Sequence, residues 1–275
     1  MNKDREVFEP YVTSRDGYDI IGLKETQDIS SKLGLTARET EALALKEKIV
    51  PSRYLANVKF FGIDNQRKLL DFKAIVIGCG AVGGMACEIL ARLGFGQIHM
   101  VDFDVFDETN LNRQLMCTEQ DIGKSKVECA KNRVLSVNSA INAVAHNVRL
   151  DDTNAAALIS GCDIVFDGLD NARDKLTLEK SCLASGIPLI HGAIGDSTFQ
   201  VAAIKNNPIL KNVYAGGLEN PVFGTPACTA IACAAAQAGE ALKILLDIGA
   251  SQQNSILRYD WVSLHCDAIE LDLEV

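Results

Sequence analysis

The chain has 275 residues, of which 48% are hydrophobic, and carries 27 Lys+Arg against 36 Asp+Glu for a net charge of −9. A chain of this length can bury a core without disulfides, and its nine cysteines, an odd number, fit a reducing compartment. The acidic balance argues against nucleic acid as a partner. We find no apolar run near the roughly 20 residues of a membrane span and no signal-peptide core, so we expect a cytoplasmic protein without membrane contact.

Residues 1–70 are predicted to form an N-terminal extension with helices. Within it, residues 1–35 show little periodicity, which predicts an irregular arm whose role the sequence does not reveal. Thr36 and Glu39 then form the pattern of a capping box, and the apolar residues that follow recur at helical spacing. We therefore expect a helix that begins after Thr36 and ends before Pro51.

Residues 71–275 are predicted to form one α/β domain. Short apolar runs alternate with helical patterns, which is typical of βαβ units in a Rossmann-like, doubly wound and mostly parallel sheet. The predicted strands are 74–78, 98–102, 142–146, 163–168 and 188–194. The predicted helices are 81–94, 124–137, 153–160 and 171–185.

The C-terminal part of this domain is predicted to be antiparallel. Residues 197–205 alternate like a strand, and no crossover helix separates them from the strand before. A loop rich in Gly, Asn and Pro is expected over 206–226, followed by a long helix of small residues that ends near Gly249. Two strands, within 255–261 and 263–273, then close the chain as a pair.

A glycine-rich loop follows the first strand of the α/β domain. Gly78, Gly80 and Gly83 form a G-x-G-x-x-G that opens a helix, with glycines for a tight turn, for close approach to a phosphate and for helix packing. Asp102 stands at the end of the next strand, about 20 residues on, where a carboxylate can accept a hydrogen bond from a ribose hydroxyl. We expect an adenine nucleotide, and this motif alone leaves NAD and ATP open.

Three charged residues further along favour ATP. Arg113, Lys126 and Asp170 bring two cations and a metal-binding carboxylate towards the same strand ends. Hydride transfer does not use this set, whereas phosphoryl or nucleotidyl transfer needs cations and Mg²⁺ against the charge that develops on phosphoryl oxygens.

With N-L-x-R-Q at 110–114, G-x-x-K-V at 123–127 and D-N at 170–171, the chain resembles the ThiF/MoeB/HesA family, bacterial relatives of the ubiquitin-activating enzymes. The resemblance runs from about residue 53 to the C-terminus. It implies a homodimeric adenylyltransferase that binds ATP and Mg²⁺. The implied partner is a small ubiquitin-like sulfur-carrier protein of the ThiS/MoaD type, whose C-terminal carboxylate is adenylated with release of pyrophosphate.

The resemblance also implies roles for individual residues. Those implied to bind the nucleotide are Gly78, Gly80, Gly83, Asp102, Asn110, Arg113 and Lys126. Arg113 and Lys126 are implied to be catalytic as well, together with Asp170 as the Mg²⁺ ligand. Asp167, three residues earlier, is the fallback ligand.

Two departures from the family pattern stand out. The segment at 52–57 matches the family's R-Y-x-R, except that Ala56 replaces the second arginine, which in relatives reaches the partner's ATP phosphates across the dimer. Either Arg53 substitutes for it or turnover is slow. The cysteines form no Cys-x-x-Cys pair, so we expect no zinc. Cys228 is the nearest candidate for a covalent role but stays outside the catalytic set, and packing or hydrogen bonding is expected for the four histidines.

Other functions remain open from the sequence. Within the family, the acceptor could be another carboxylate, on a peptide or a cofactor precursor. An NAD-dependent oxidoreductase explains the glycine loop and Asp102 but leaves Arg113, Lys126 and Asp170 without a role. A nucleotide-binding module that has lost turnover would explain Ala56.

Overall fold

The computed structural model describes residues 3–214, 224–251 and 255–270. The strands are β1 (Thr13–Arg15), β2 (Tyr18–Ile21), β3 (Ile49–Pro51), β4 (Lys73–Ile77), β5 (Gln97–Val101), β6 (Asn142–His146), β7 (Ile164–Asp167), β8 (Leu189–Gly195), β9 (Thr198–Ile204), β10 (Ser255–Asp260) and β11 (His265–Glu270). The helices are α1 (Lys3–Glu6), α2 (Leu23–Leu33), α3 (Ala37–Lys46), α4 (Leu55–Asp71), α5 (Ala81–Leu93), α6 (Lys126–Val137), α7 (Ala155–Ile159), α8 (Ala172–Ser185), α9 (Leu210–Val213) and α10 (Ala227–Leu246).

The main sheet has the order β11-β10-β9-β8-β7-β4-β5-β6 over the described ranges. Neighbours from β8 through β7, β4 and β5 to β6 are parallel, and β8 to β11 pair antiparallel. This confirms the Rossmann-like, mostly parallel sheet with antiparallel strands at its C-terminal end. The predicted strands up to β9 begin and end within one residue of the observed ones. Part of the predicted loop and of the last strand, 215–223 and 271–273, lies outside the described residues.

Helices cover both faces of the sheet. Along β4, Val76 belongs to the core cluster under α5 and α10, whereas Ile75 and Ile77 belong to the cluster under α7 and α8. All three side chains are essentially inaccessible to solvent. A strand buried on both sides reads as a continuous apolar run, which is why the sequence pattern located β4.

Helix α10 corrects one expectation. It has 20 residues and is long and apolar enough, by length and composition, to cross a membrane, so the prediction that no apolar segment approaches this length was wrong. In this fold half of it is buried, and it packs against α5, β8 and β9. Gln237 in its middle donates hydrogen bonds to the backbone oxygens of Asp167 and Ile190. These are the contacts of a core helix.

Residues 3–51, which we name the N-terminal module, are more regular than predicted. Strands β1 and β2 form an antiparallel hairpin, β3 adds in parallel to β2, and α2 packs beside them. The irregular arm predicted for 1–35 is therefore wrong over the described part. Helix α2 is mostly polar, and its buried Ile29 packs with Phe8 and Ile49, which are distant in sequence. A local pattern cannot show such contacts.

The capping box at Thr36 and Glu39 is confirmed, and α3 follows it. The helix ends earlier than predicted, because the chain turns at Lys48, in the left-handed region, and enters β3. Helix α4, which the sequence analysis did not predict, contains a kink at Gly62 with a φ of +84°. This glycine has backbone angles outside the helical region and interrupts the regular helix.

A buried polar network joins the N-terminal module to the α/β domain. The Tyr54 hydroxyl donates to Glu41 Oε2 at 2.9 Å, and Asn138 Nδ2, just after α6, donates to the Tyr54 oxygen at 2.8 Å. Arg53 lies between the two parts: its Nε is 3.5 Å from Glu41 Oε1, and its Nη1 donates to Asn138 Oδ1. Burial raises the pKa of Glu41, and the Arg53 guanidinium opposes that rise.

We expect Arg53→Ala to lower the free energy of unfolding by about 2 kcal/mol, because it leaves the Glu41 carboxylate, 1% exposed, without its cation. Chemical denaturation measures the change. Lys59→Ala, which removes an exposed ion pair with Asp16, is the control and should have little effect. Equal losses in the two variants would contradict a structural role for Arg53.

Candidate active site

A cavity of about 1080 Å³ opens at the carboxyl ends of the parallel strands. Its walls are the loops after β4, β5, β6 and β7, together with residues of β8, β9 and β10. Strand β4 is followed along the chain by β5 on one side, whereas β7 lies on its other side, so the strand order reverses between β4 and β7. Ligands of doubly wound sheets bind at this kind of switch point.

The glycine loop is packed backbone against backbone. Gly78 has a φ of +88°, and a Cβ there would lie 2.6 Å from the carbonyl oxygen of Gly168. A Cβ at Gly83 would lie 1.8 Å from the Gly78 oxygen. At Gly80 nothing lies closer than the Gln114 side chain at 3.9 Å, so this position is open. Close packing therefore requires glycine at positions 78 and 83. Position 80 has space for a side chain, and the backbone there borders the cavity.

Gly168 completes this contact and was missed as a site residue. A Cβ at Gly168 would lie 2.4 Å from the Gly78 oxygen and 2.8 Å from Gly83 Cα. Its signal in the sequence was an Asp-Gly pair that directly follows the buried run of β7. The backbone of the loop after β7 thus packs directly against the glycine loop.

Asp102 fixes the glycine loop to the end of β5. Its Oδ2 accepts from the Cys79 N–H at 2.7 Å, and its Oδ1 accepts from the Asp104 N–H at 2.8 Å. Burial raises the pKa of Asp102, and these two hydrogen bonds oppose the rise. A carboxylate offers about four lone-pair sites, so Asp102, which lines the cavity, can still accept a further hydrogen bond.

Both predicted cations line the cavity. Arg113 Nη1 donates to the Thr109 carbonyl at 2.7 Å and to Asn112 Oδ1 at 2.8 Å, and within the described ranges the guanidinium has no carboxylate partner. Lys126, the first residue of α6 and 8% exposed, has its Nζ 3.2 Å from Asp104 Oδ2. The two side chains place positive charges on a wall that also carries the Asp102 and Asp104 carboxylates.

Two predicted residues do not line the cavity. Asn110 is buried, and its Oδ1 accepts from the Asp107 N–H at 3.1 Å, which holds the 3₁₀ turn that precedes Arg113. Gly83 acts only through the loop packing described above. The structure therefore brings together Gly78, Gly80, Asp102, Arg113, Lys126 and Asp170.

The two aspartates of β7 and its loop have different roles. Asp170 is exposed to the cavity, and the Asn171 amide nitrogen is 3.4 Å from its Oδ1. Asp167 is fully buried: its Oδ2 accepts from Lys175 Nζ at 2.9 Å and from His191 Nδ1 at 2.7 Å, and its Oδ1 accepts from the Leu169 N–H. Because Asp167 is inaccessible and does not line the cavity, it is not placed to bind a metal ion there, and the fallback assignment was wrong.

The cluster around Asp167 was also missed. Although burial disfavours its charge, Lys175 and His191 hold the pKa of Asp167 below its usual value. Burial lowers the pKa of His191, whose ring meets Tyr214 edge to face. Lys175 Nζ also donates to the Gly192 carbonyl at 2.8 Å, which ties α8 to β8. The members come from three elements and form no motif, so the sequence carried no signal for the cluster.

Ala56 stands where the family has its second arginine, and Arg53 is the candidate substitute. Neither of them lines the cavity. Ala56 is exposed in the first turn of α4. Arg53 is held by Glu41 and Asn138, and Asn138 precedes β6 at the edge of the sheet opposite the cavity. Within one chain, Arg53 therefore does not take the place of that arginine.

The remaining expectations concern histidines and cysteines. His99 and His146 form a hydrogen bond to each other at 3.1 Å, and His191 bonds Asp167, so hydrogen bonding is confirmed for these three. Cys228 is exposed at the start of α10, away from the cavity lining. No group of three potential metal ligands occurs among the described side chains.

We expect Gly83→Ala to lower the free energy of unfolding by about 3 kcal/mol, because its Cβ overlaps the Gly78 oxygen. Gly239→Ala is the matched control, since a Cβ on this helical glycine of α10 meets nothing within 4 Å. It should raise the free energy by about 0.5–1 kcal/mol. Denaturant unfolding of both variants checks the pair, and a neutral Gly83→Ala would contradict the packing described here.

Known proteins match this architecture and these motifs. The ThiF family profile matches residues 52–274. The chain is 31% identical over 220 residues to the SAMP-activating enzyme E1 of Haloferax volcanii, covering 76% of this chain and 80% of that protein. It is 30% identical over 226 residues to the molybdopterin-synthase adenylyltransferase of Salmonella typhimurium, covering 78% and 88%.

Two further matches extend the comparison. The chain is 31% identical over 244 residues to the probable adenylyltransferase/sulfurtransferase MoeZ of Mycobacterium tuberculosis, and the match covers 84% of this chain and 62% of that protein. The crystal structure of Escherichia coli MccB with ATP superposes with a TM-score of 0.72 at 19% identity, over 92% of this chain and 80% of that one, which shows a shared fold. The extent of the profile match and the identity to these enzymes show that the chain belongs to the ThiF family of adenylyltransferases.

Proposed function

We propose that this chain uses ATP to adenylate the C-terminal carboxylate of a small ubiquitin-like sulfur-carrier protein and releases pyrophosphate. One observation carries the proposal: the glycine loop, Arg113, Lys126 and Asp170 line a single cavity. Two relatives add support, since their names describe a SAMP-activating E1 and an adenylyltransferase for molybdopterin synthase.

The residues on the cavity wall suit a nucleotide triphosphate. Asp102 accepts two backbone hydrogen bonds, which leaves lone pairs on its carboxylate that can accept from a ribose hydroxyl. The glycine loop leads into the N-terminus of α5, whose free N–H groups and dipole favour phosphate. Arg113 and Lys126 add positive charge from the β5 side of the cavity. NAD would leave these two cations and Asp170 without a function.

The chemical step needs charge stabilisation more than proton transfer. The attacking carboxylate is already ionised, and negative charge grows on the α-phosphoryl oxygens as the acyl–phosphate bond forms and pyrophosphate leaves. Cations held in place before the reaction stabilise this developing charge without reorganisation. Arg113 and Lys126 are fixed by hydrogen bonds to neighbouring groups and meet that requirement.

The donor set at Asp170 fits Mg²⁺. This ion commonly binds through one or two carboxylates and completes its shell with substrate phosphates and water. Asp170 has no cationic partner among the described residues, so its oxygens are available. When bound, the ion would neutralise phosphate charge beside the two cations.

The acceptor and the assembly are parts of the same proposal. Beyond Asp170 the cavity continues over β8, β9 and β10, which gives an extended carboxyl-terminal tail a path to the phosphates. We also propose a homodimer. In the family, the arginine at the position of Ala56 acts across a dimer, so this position is expected to face a partner subunit here as well. Its exposure on α4 leaves the position open to a partner subunit.

The nucleotide choice has a direct test. We expect isothermal titration calorimetry to show tighter binding of ATP with Mg²⁺ than of NAD, because NAD brings no γ-phosphate to the two cations. Binding of NAD without binding of ATP would overturn the proposal. Exchange of labelled pyrophosphate into ATP, stimulated by a carrier protein with a Gly-Gly terminus, tests the reaction itself.

We expect Asp170→Asn to lower the Mg²⁺-dependent pyrophosphate exchange rate by about 100-fold or more, because charge stabilisation at the phosphates is lost. Asp71→Asn is the control, since this exposed residue ends α4 away from the cavity. Melting curves check that both variants fold. Full exchange activity in Asp170→Asn would remove the metal role.

Ala56→Arg should raise the exchange rate with little change in ATP affinity, because an arginine aimed at developing charge favours the transition state over the ground state. Sedimentation of the wild type tests the dimer on which this effect depends. An unchanged rate in a verified dimer with an active acceptor would show that this segment does not reach the phosphates.

A further inference from the structure

The far half of the cavity contains a polar side chain whose orientation follows from its hydrogen bond to a buried residue. Gln200 of β9 lies directly opposite Ala193 of β8 and Arg258 of β10, and all three line the cavity. Directly opposite residues of antiparallel strands present their side chains on the same face. Strands β8 and β7 separate β9 from the glycine loop after β4. Gln200 therefore faces the region left for the acceptor and not the ribose position at Asp102.

The buried cluster determines which nitrogen of His191 carries the proton. Asp167 is an ionised carboxylate paired with Lys175, so it can only accept hydrogen bonds. His191 Nδ1, at 2.7 Å from Asp167 Oδ2, must then be the donor. Burial keeps the ring neutral by lowering its pKa, which leaves Nε2 as an acceptor.

This tautomer in turn orients the Gln200 amide. Gln200 Nε2 lies 3.3 Å from His191 Nε2, and only the amide nitrogen can donate to an accepting ring nitrogen. A flipped amide would place two acceptors against each other. The carbonyl oxygen Oε1 is thereby left for the cavity, and among the described residues it has no hydrogen-bond partner.

We propose that Gln200 binds the acceptor: its Oε1 accepts a hydrogen bond from a peptide N–H in the acceptor's carboxyl-terminal tail. The inference rests on the proposed function. An extended tail carries an N–H at every peptide bond, and an acceptor-only oxygen selects such a donor and repels the terminal carboxylate. His191 and Asp167 are positioning residues, because they act on the tail only through the Gln200 amide.

The test uses a synthetic decapeptide that ends in Gly-Gly with a free carboxylate, and analogues in which an ester oxygen replaces one of the last three amide N–H groups. Pyrophosphate exchange is measured against peptide concentration. For the wild type we expect one analogue to raise the peptide KM by about 5- to 10-fold, the size of one lost hydrogen bond. Gln200→Met should raise the KM of the parent peptide by a similar factor and abolish the difference between parent and analogue. The KM for ATP should not change.

Gln97→Met is the matched control, because Gln97 is a half-buried strand glutamine at the amino end of β5 and does not line the cavity. It should leave every peptide KM unchanged. Nitrogen-15 spectra of wild-type His191 supply a readout independent of activity: we expect a proton on Nδ1 and none on Nε2 at about pH 6 to 8.

Each outcome has a defined meaning. Ester analogues that all match the parent in the wild type overturn the inference without any variant, and so does a proton on His191 Nε2. An ester effect that persists in Gln200→Met also overturns it. If the wild type binds ATP but shows no exchange with any carrier or peptide, the proposed function fails and the inference fails with it. Exchange that is unaffected by Gln200→Met would instead overturn the inference alone.

Discussion

The site depends on a contact between two stretches of backbone, the glycine loop after β4 and the loop after β7. Gly78, Gly83 and Gly168 approach so closely that a single methyl group on any of them would overlap a neighbouring backbone atom. This contact sets the distance between the helix N-terminus of α5 and the loop that carries Asp170. The nucleotide wall and the metal-binding carboxylate are thus placed relative to each other by sterics, before any ligand contributes.

Charge is arranged around this contact in two layers. The open layer, with Arg113, Lys126 and Asp170, faces the cavity, where a ligand or solvent can compensate it. In the buried layer, the charge of Asp167 is neutralised within the protein by Lys175, and His191 adds a hydrogen bond. Removing one member of a buried ion pair leaves an uncompensated charge in the interior, so this layer is expected to be rigid. Its rigidity is what gives the neighbouring Gln200 amide one orientation.

The sequence predicted the α/β domain well because its strands are buried on both faces and its motifs are local. Strand β4, the glycine loop and Asp102 lie within one βαβ unit, so their spacing along the chain reports their positions in space. The N-terminal module lacked such a signal, since α2 is polar and its packing partners are distant in sequence. The environment of Arg53 could not be predicted for a related reason, because its partners Glu41 and Asn138 lie far from it along the chain. Motifs gave the residue types at the cavity, whereas the hydrogen bonds that engage Asp167 and hold Asn110 away required the fold.

The change from parallel to antiparallel pairing explains why the cavity extends beyond the nucleotide. Parallel strands require a crossover, and in this domain helices follow β4, β5 and β7 at the carboxyl edge of the sheet. Strand β8 instead returns directly as β9 through Asp196 and Ser197, with Asp196 at a φ of +50°, a conformation that aspartate tolerates. No crossover helix is needed over this end, and the edge of β8, β9 and β10 stays accessible next to Asp170. The Lys175 hydrogen bond to Gly192 anchors β8 to α8, so the open half of the cavity is held against the half that contains the glycine loop.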